Sequence, residues 1–356
     1  MEKMKRILIK NGSVWDGFSI KKRDILICDG YIERVSRDIE GNADFLFEAE
    51  NMLVSSGLCD FHTHIRDISP DSIGIDSEKI SHPFGVTHLV DASAETGDIG
   101  STGKANTDIS VLARVFIEDN RASLGFTEKI IEKYRDKVIG LKVYFDRGIS
   151  EVRDEYPIRE ICEFARKRDL FVAVHTGNSP ISMKRLVGAL DRGDVIAHIF
   201  HGGVNNSSEE DFECLSLARE RGVLTDAAFS VGYHIDFSIF KAAVERGFSP
   251  DIISTDITRG QEYIGNEKYG LALCMSVAEK CGMKQEEVFM AVTNTPSALQ
   301  RNAPVGEGLR VGDKADIAVL TKVPCDVKIP DRYGNEVCLD EAYKCTLCVV
   351  GDTVFK

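Results

Sequence analysis

A chain of 356 residues, 43% of them apolar, with slightly negative mean hydropathy, is long enough for one (β/α)8 barrel plus an appendage. Its formal net charge of −13 excludes the broad basic footprint that phosphate binding needs, so nucleic acid is not an expected partner. No run approaches the roughly 18 apolar residues of a membrane span, so no membrane partner is expected either.

Met1-Glu2-Lys3-Met4-Lys5-Arg6 leads into a strand-like run and not into the apolar core of a signal peptide. Ten cysteines scattered through strand-like and helix-like runs read as small core residues of a reducing compartment, so a cytoplasmic location is expected. Residues 1–54 look all-β: short apolar runs at 7–12, 24–30 and 31–35 are punctuated by Asn-Gly and Asp-Gly, and Asp29-Gly30 signals a hairpin.

From residue 57 the texture changes. Eight apolar runs, at 58–64, 86–91, 111–117, 138–144, 171–175, 194–199, 223–228 and 251–256, start roughly 23–33 residues apart, about one βα unit each. Amphipathic helical segments lie between them at 127–137, 157–168, 208–221 and 237–246, the last two ending in Arg-Gly, a basic residue before a stop glycine. Eight evenly spaced units predict an α/β fold of the TIM-barrel type, an open doubly wound sheet being the alternative. After a helical segment near 285–300, β texture returns at 313–320 and 349–355. The expected organisation is an N-terminal part of a small β-sandwich (1–54), a barrel (55–303) and a C-terminal part of the same sandwich (304–356).

A TIM barrel carries its chemistry at the C-terminal ends of its strands. Run one ends in His62 and His64, run four carries Lys142, run five ends in His175, run six reaches His198 and run eight ends in Asp256. In a strand, residues i and i+2 share a face, so His62 and His64 can grip one ion. Four of the eight histidines therefore land at the expected barrel mouth. Imidazole and carboxylate suit Zn²⁺ and similar ions. Lysine is the odd member, since an ammonium cannot ligate a cation. It is either a structural or substrate-binding cation, or a lysine carboxylated by CO₂, whose carbamate could bridge two metals. In the second case a hydroxide shared by the ions would be a strong nucleophile at neutral pH.

These residues resemble the amidohydrolase superfamily of binuclear metallohydrolases. The likeness is carried by Asp60-Phe61-His62-Thr63-His64, Lys142, His175, His198 and Ser254-Thr255-Asp256, with the flanking 54–60 and 308–317. Gly85-Val86-Thr87, Gly140-Leu141-Lys142 and Ser254-Thr255-Asp256-Ile257 are most similar to its deacetylase/dihydroorotase-like branch. The resemblance implies two divalent metal ions, most simply zinc. His62 and His64 would hold one ion with Asp256, His175 and His198 the other, and carboxylated Lys142 would bridge them. Asp256 would also be the catalytic base and then acid. The implied activity is hydrolysis of an amide, N-acyl or cyclic, or of an ester.

Around this core the expectations are more open. Arg66 stands in a His-x-His-x-Arg pattern that in dihydroorotase holds a substrate carboxylate; a loop arginine paired with Asp60 or Asp67 is the plainer reading. The asparagine that dihydroorotase carries after strand two is not evident in Asp91-Ala92-Ser93-Ala94-Glu95, which argues against dihydroorotate itself. His201 and Arg259 are candidate substrate-binding residues, with Tyr263 and His234 weaker ones; His82 and His88 read as packing or surface residues. Cys345-x-x-Cys348, with Cys325 and Cys338 upstream, is a poor zinc site because i and i+3 on a strand face opposite ways. A small carboxylate-bearing substrate and a homo-oligomer are expected. The alternatives are a nucleobase or heterocycle deaminase such as an adenine deaminase, which Lys142 opposes, and a non-catalytic barrel, which the full ligand set opposes.

Overall fold

The structure, a computed structural model, describes residues 4–65, 73–94, 107–300 and 308–356. Seven parallel strands pair in chain order: Leu58–Thr63, Val86–Ala94, Asp108–Glu118, Val138–Tyr144, Phe171–His175, Val195–Ala197 and Leu224–Asp226. These are staves one to seven. Residues 252–257 form the eighth. It closes the ring through single parallel bridges, Asp226 to Ile252 on one side and Thr63 to Ile257 on the other, so the architecture is the expected (β/α)8 barrel. Residues from around the ring fill the interior, among them Phe61, Val90, Leu112, Ile139, Ala173, Val195 and Ile252. Leu141, Val143, Val172, Val174 and Ile196 face the helices instead. Staves buried on both faces read as continuous apolar runs, which explains why the sequence shows them so plainly.

The helices include Gly125–Lys133, Tyr156–Arg166, Glu213–Arg221 and Phe237–Glu245. Gly222 (φ 72°) and Gly247 (φ 80°) follow the last two in the left-handed region, where glycine pays no Cβ penalty. At the N-terminal end of stave six, buried Asp194 accepts hydrogen bonds from the Val172 and Asp191 N–H groups, both at 2.8 Å, and from the Arg166 guanidinium at 2.5 Å. Asp194→Ala strands the buried Val172 N–H, the part-buried Asp191 N–H and a partly buried cation, so it should cost about 3 kcal/mol. Urea unfolding monitored by circular dichroism measures that loss.

The chain ends meet as anticipated. Leu53–Ser56 pairs antiparallel with Asp316–Pro330, so both termini share one eight-stranded sheet. That sheet is continuous and curls on itself: Tyr31, at its far edge, bridges to Lys314. The sandwich is thus one folded sheet, packed around Ile7, Ile9, Ile25, Ile27, Ile317, Val319, Leu347 and Val349. Asp29 (φ 49°) and Gly30 (φ 82°) make the expected two-residue hairpin turn. Beyond expectation, Asp316–Pro330 and Glu336–Val350 form a long antiparallel hairpin. Its tip reaches the barrel mouth: Arg332 N–H donates to Ile235 O at 3.0 Å, and the Tyr333 hydroxyl donates to Gly202 O. Among the described residues no helix is long and apolar enough to cross a membrane. The ten cysteines are free, and none joins a metal-sized cluster among the described residues.

Candidate metal centre

His62, His64, Lys142, His175, His198 and Asp256 are all buried, and the barrel brings them together. Strict alternation after inward Phe61 would turn His62 and His64 outward. The register shift between Asp60 and Thr63 breaks that alternation and lets them reach the mouth. His198 (φ 60°) and Asp256 (φ 50°) lie in the left-handed region, a strained state for non-glycine residues that surrounding structure must impose. For Asp256 that structure is its own N–H bond to His62 O, 2.7 Å. Asp256 joins the two halves of the group: Oδ1 is 3.2 Å from His62 Nε2 and 3.0 Å from His64 Nε2, and Oδ2 is 3.7 Å from His198 Nε2. The His175 and His198 ring centres are 4.7 Å apart.

Lys142 Nζ donates to His62 Nε2 at 3.0 Å and makes no ion pair with a carboxylate among the described residues. Burial pushes its ammonium down to about 8. Burial, and then the Lys142 charge, lowers His62; burial and neighbouring His234 carry His175 and His198 well below the usual imidazole value. Burial alone would raise Asp256, but His62, His198 and His64 hold it well below the carboxylate range. Neutral imidazoles beside an ionised carboxylate are the protonation states that ligate metals.

Hydrogen bonds behind the rings set the tautomers. His198 Nδ1 donates to Ala228 O at 2.9 Å, which leaves Nε2 bare. His62 Nδ1 lies 3.5 Å from Asp226 Oδ2, and Asp226 is itself held by the Ser254 hydroxyl (2.7 and 2.9 Å) and the Ala228 N–H (3.0 Å). Asp226 closes stave seven, so the strand-end rule applied to that run would have found it. Asp226→Asn should weaken metal binding about 10–100-fold by loosening His62; competition with a chromophoric chelator reads the change.

The residues fit metal ions by their geometry. His175 Nε2, His198 Nε2 and His64 Nδ1 are buried and have no hydrogen-bond partner among the described residues, a costly state unless a cation completes them. His62 Nε2 and Asp256 Oδ1, both acceptors, face each other at 3.2 Å. Two overlapping trios have ligand atoms within 4.8 Å of one another: His62, His198 and Asp256, and His175, His198 and His234. Gly177 borders the second trio: a Cβ there would press on Asp146 Oδ2 at 3.0 Å and lie in ordinary contact with His175 Nε2 (3.7 Å) and His234 Nδ1 (3.9 Å).

Of the remaining described candidates, only His234 joins this group. His201 is buried, its Nδ1 accepting the Gly203 N–H at 3.0 Å; burial, then His234 and Arg332, lower it to about 3. Arg259 is half-buried on the loop after stave eight, its N–H on Ile73 O at 2.8 Å. Tyr263 is exposed on a two-stranded ribbon with Glu267–Lys268. Arg66 lies outside the described residues. His82 stacks on Phe355 with centres 3.8 Å apart and His88 bonds Ser110 at 3.0 Å, both packing roles. His234, weakly favoured in sequence, joins the histidine cluster directly.

No protein-family model matches the chain. A deacetylase from Agrobacterium fabrum is 28% identical, covering 94% of this chain and 87% of that protein. A deacetylase from Enterococcus faecalis is 24% identical over 98% of both. A solved dihydroorotase superposes with a TM-score of 0.84 and 25% identity, covering 98% of this chain and 97% of that one. A barrel with this donor set at its mouth, among these relatives, is a metal-dependent hydrolase of carbon–nitrogen bonds other than peptide bonds. Within that class the chain is similar to the amidohydrolase superfamily, on its deacetylase/dihydroorotase-like branch.

Proposed function

We propose that this chain hydrolyses the amide bond of a small N-acylated, carboxylate-bearing substrate at a centre of two divalent ions. The observation that carries the reading is a fully buried lysine, without an ion-paired carboxylate among the described residues, bonded to His62 beside the histidine–Asp256 cluster and within reach of the Asp256 and Asp226 charges. As an ammonium, Lys142 would repel any cation placed there. Addition of CO₂ to its neutral amine, with loss of one proton, turns it into an anion that the same surroundings suit. His62, His64 and Asp256 would hold one ion, His175 and His198 the other, with carboxylated Lys142 between. The nitrogen-rich donor set suits zinc. Bound ions would supply Lewis acidity toward the scissile carbonyl and toward a water.

The chain's own contribution to the chemistry centres on Asp256. Its ionised carboxylate takes the proton of the attacking water, then returns it to the leaving nitrogen as the C–O bond forms and the C–N bond breaks. The buried surroundings shut out bulk water and keep that proton local. The deacetylase relatives favour an open N-acyl substrate, and the lack of an asparagine in Asp91-Ala92-Ser93-Ala94-Glu95 argues against dihydroorotate. Arg66 is our proposed holder of the substrate carboxylate, with His201 and Arg259 as further substrate-binding candidates.

The test is protein loaded with zinc and bicarbonate, analysed for metal and assayed on N-acyl amino acids, cyclic amides, acyl esters and adenine. Two ions per chain with turnover of N-acyl amino acids is the expected result. One ion per chain with release of ammonia from adenine would replace the reading by a deaminase.

A further inference from the structure

His234 faces the same space as His175 and His198 but has no part in the six-residue assignment above. Its ring centre is 4.2 Å from that of His198 and 5.0 Å from that of His175, and the three can offer ligand atoms within 4.8 Å of one another. Its Nδ1 and His175 Nε2 both face Gly177, 3.9 and 3.7 Å from where a Cβ would stand. Zinc–imidazole bonds are about 2.0–2.1 Å long, so three nitrogens at this spacing can share one ion after small side-chain adjustments. Two of the partners, His175 Nε2 and His198 Nε2, are buried nitrogens without a hydrogen-bond partner among the described residues.

The backbone holds His234 from two directions. Phe229 and Ser230 N–H groups donate to Ser254 O and Thr255 O of stave eight, both at 3.0 Å, and His234 N–H returns to Ser230 O at 3.2 Å. On the other side, Ile235 bridges to His201 and accepts the Arg332 N–H from the hairpin tip. An imidazole presented by a loop fixed at both ends pays little ordering entropy on binding an ion.

We propose that His234 is an additional metal ligand, completing a three-imidazole face with His175 and His198 around the second ion. This rests on the two-ion reading given above. The consequence is a second site richer in nitrogen than the first, with one fewer position for water or substrate.

Metal titration of the full-length protein with a competing chelator, together with visible absorption of the Co²⁺-loaded form, tests the proposal in His234→Ala and His234→Gln. Thermal melts of the metal-free proteins establish that both variants fold. The expected result is first-ion affinity unchanged, second-ion affinity lower by tenfold or more in both variants, and an altered Co²⁺ spectrum for the second ion alone. Two ions bound as tightly as in the parent, with an unchanged spectrum, overturns the role of His234 and leaves the two-ion reading standing, whatever happens to activity. A parent protein that takes up only one ion, insensitive to His234, overturns both.

Discussion

Replacing Lys142 with alanine should lower kcat/KM by about a thousandfold or more, the scale expected when a metal centre that stabilises developing charge is dismantled. Metal content should fall with it. Small carboxylates such as propionate, added at millimolar concentration, should restore part of both, because the space vacated by the lysine chain can take an anion of the carbamate's shape. Alkylamines restore activity only if Lys142 works as a plain ammonium, so the two additives separate the readings.

The companion variant, Lys142→Met, separates function from folding. Methionine keeps an unbranched chain of similar bulk without a charge to desolvate, and buried charges are often replaced by apolar groups at no loss of stability. Metal-free Lys142→Met should therefore melt no lower than the metal-free parent while being inactive. The pH dependence has a definite sign. Burial lowers the folded-state pKa of Lys142 from 10.5 to about 8, so between those values the unfolded chain binds more protons and parent stability rises with pH. The variant's advantage should be full below pH 8 and fade toward pH 10.5. A parent whose melting temperature shows no such gain relative to Lys142→Met would mean that the lysine is not desolvated.

That a fully buried lysine could be picked out from sequence reflects how a parallel barrel is built. Most stave residues are buried, so the runs are largely apolar, and a polar residue at the mouth stands out against the run before it. His175 and His198 were legible for that reason. The eighth stave was legible as a run, although in the structure it joins its neighbours through isolated bridges. Side chains add to that closure: the Thr255 N–H and hydroxyl donate to Asp60 at 3.0 and 2.7 Å, and the Ser254 hydroxyl donates to Asp226.

Other features depend on geometry that periodicity does not encode. His234 reaches the cluster through Ala228 (φ 39°), Ser230 (φ 37°) and Gly232 (φ 79°), a sequence of backbone states with no repeating pattern to read. Only the ends of the long hairpin are legible in the sequence. Over Lys322–Pro330 its burial alternates and mixes in charged residues, and Pro324 at a register shift looks like a strand breaker, though a bulge accommodates it. Val327 and Ile329, opposite Leu339 and Val337, with Tyr333-Gly334-Asn335 between, are the signal that could have revealed it.

Asp256→Asn should reduce kcat on amides of alkylamines by about a thousandfold, within the range that a general acid–base group contributes. Asparagine keeps one oxygen toward His62 and His64, so most metal should remain at saturating zinc; what is lost is the ability to carry a proton. The size of the loss should follow the leaving group. An alkylamine cannot depart as an anion, so it needs the proton that Asp256 carries. A p-nitrophenolate departs without one, so p-nitrophenyl esters should lose far less. Comparing kcat for the variant across amides, anilides and activated esters at saturating zinc therefore measures the proton's share of the barrier. Equal losses on every substrate would reduce Asp256 to a metal ligand and move the acid–base role elsewhere. The half-buried His234, 4.2 Å from His198 between ring centres, would then be the first group to examine, and its metal-binding test would separate a ligand from a base.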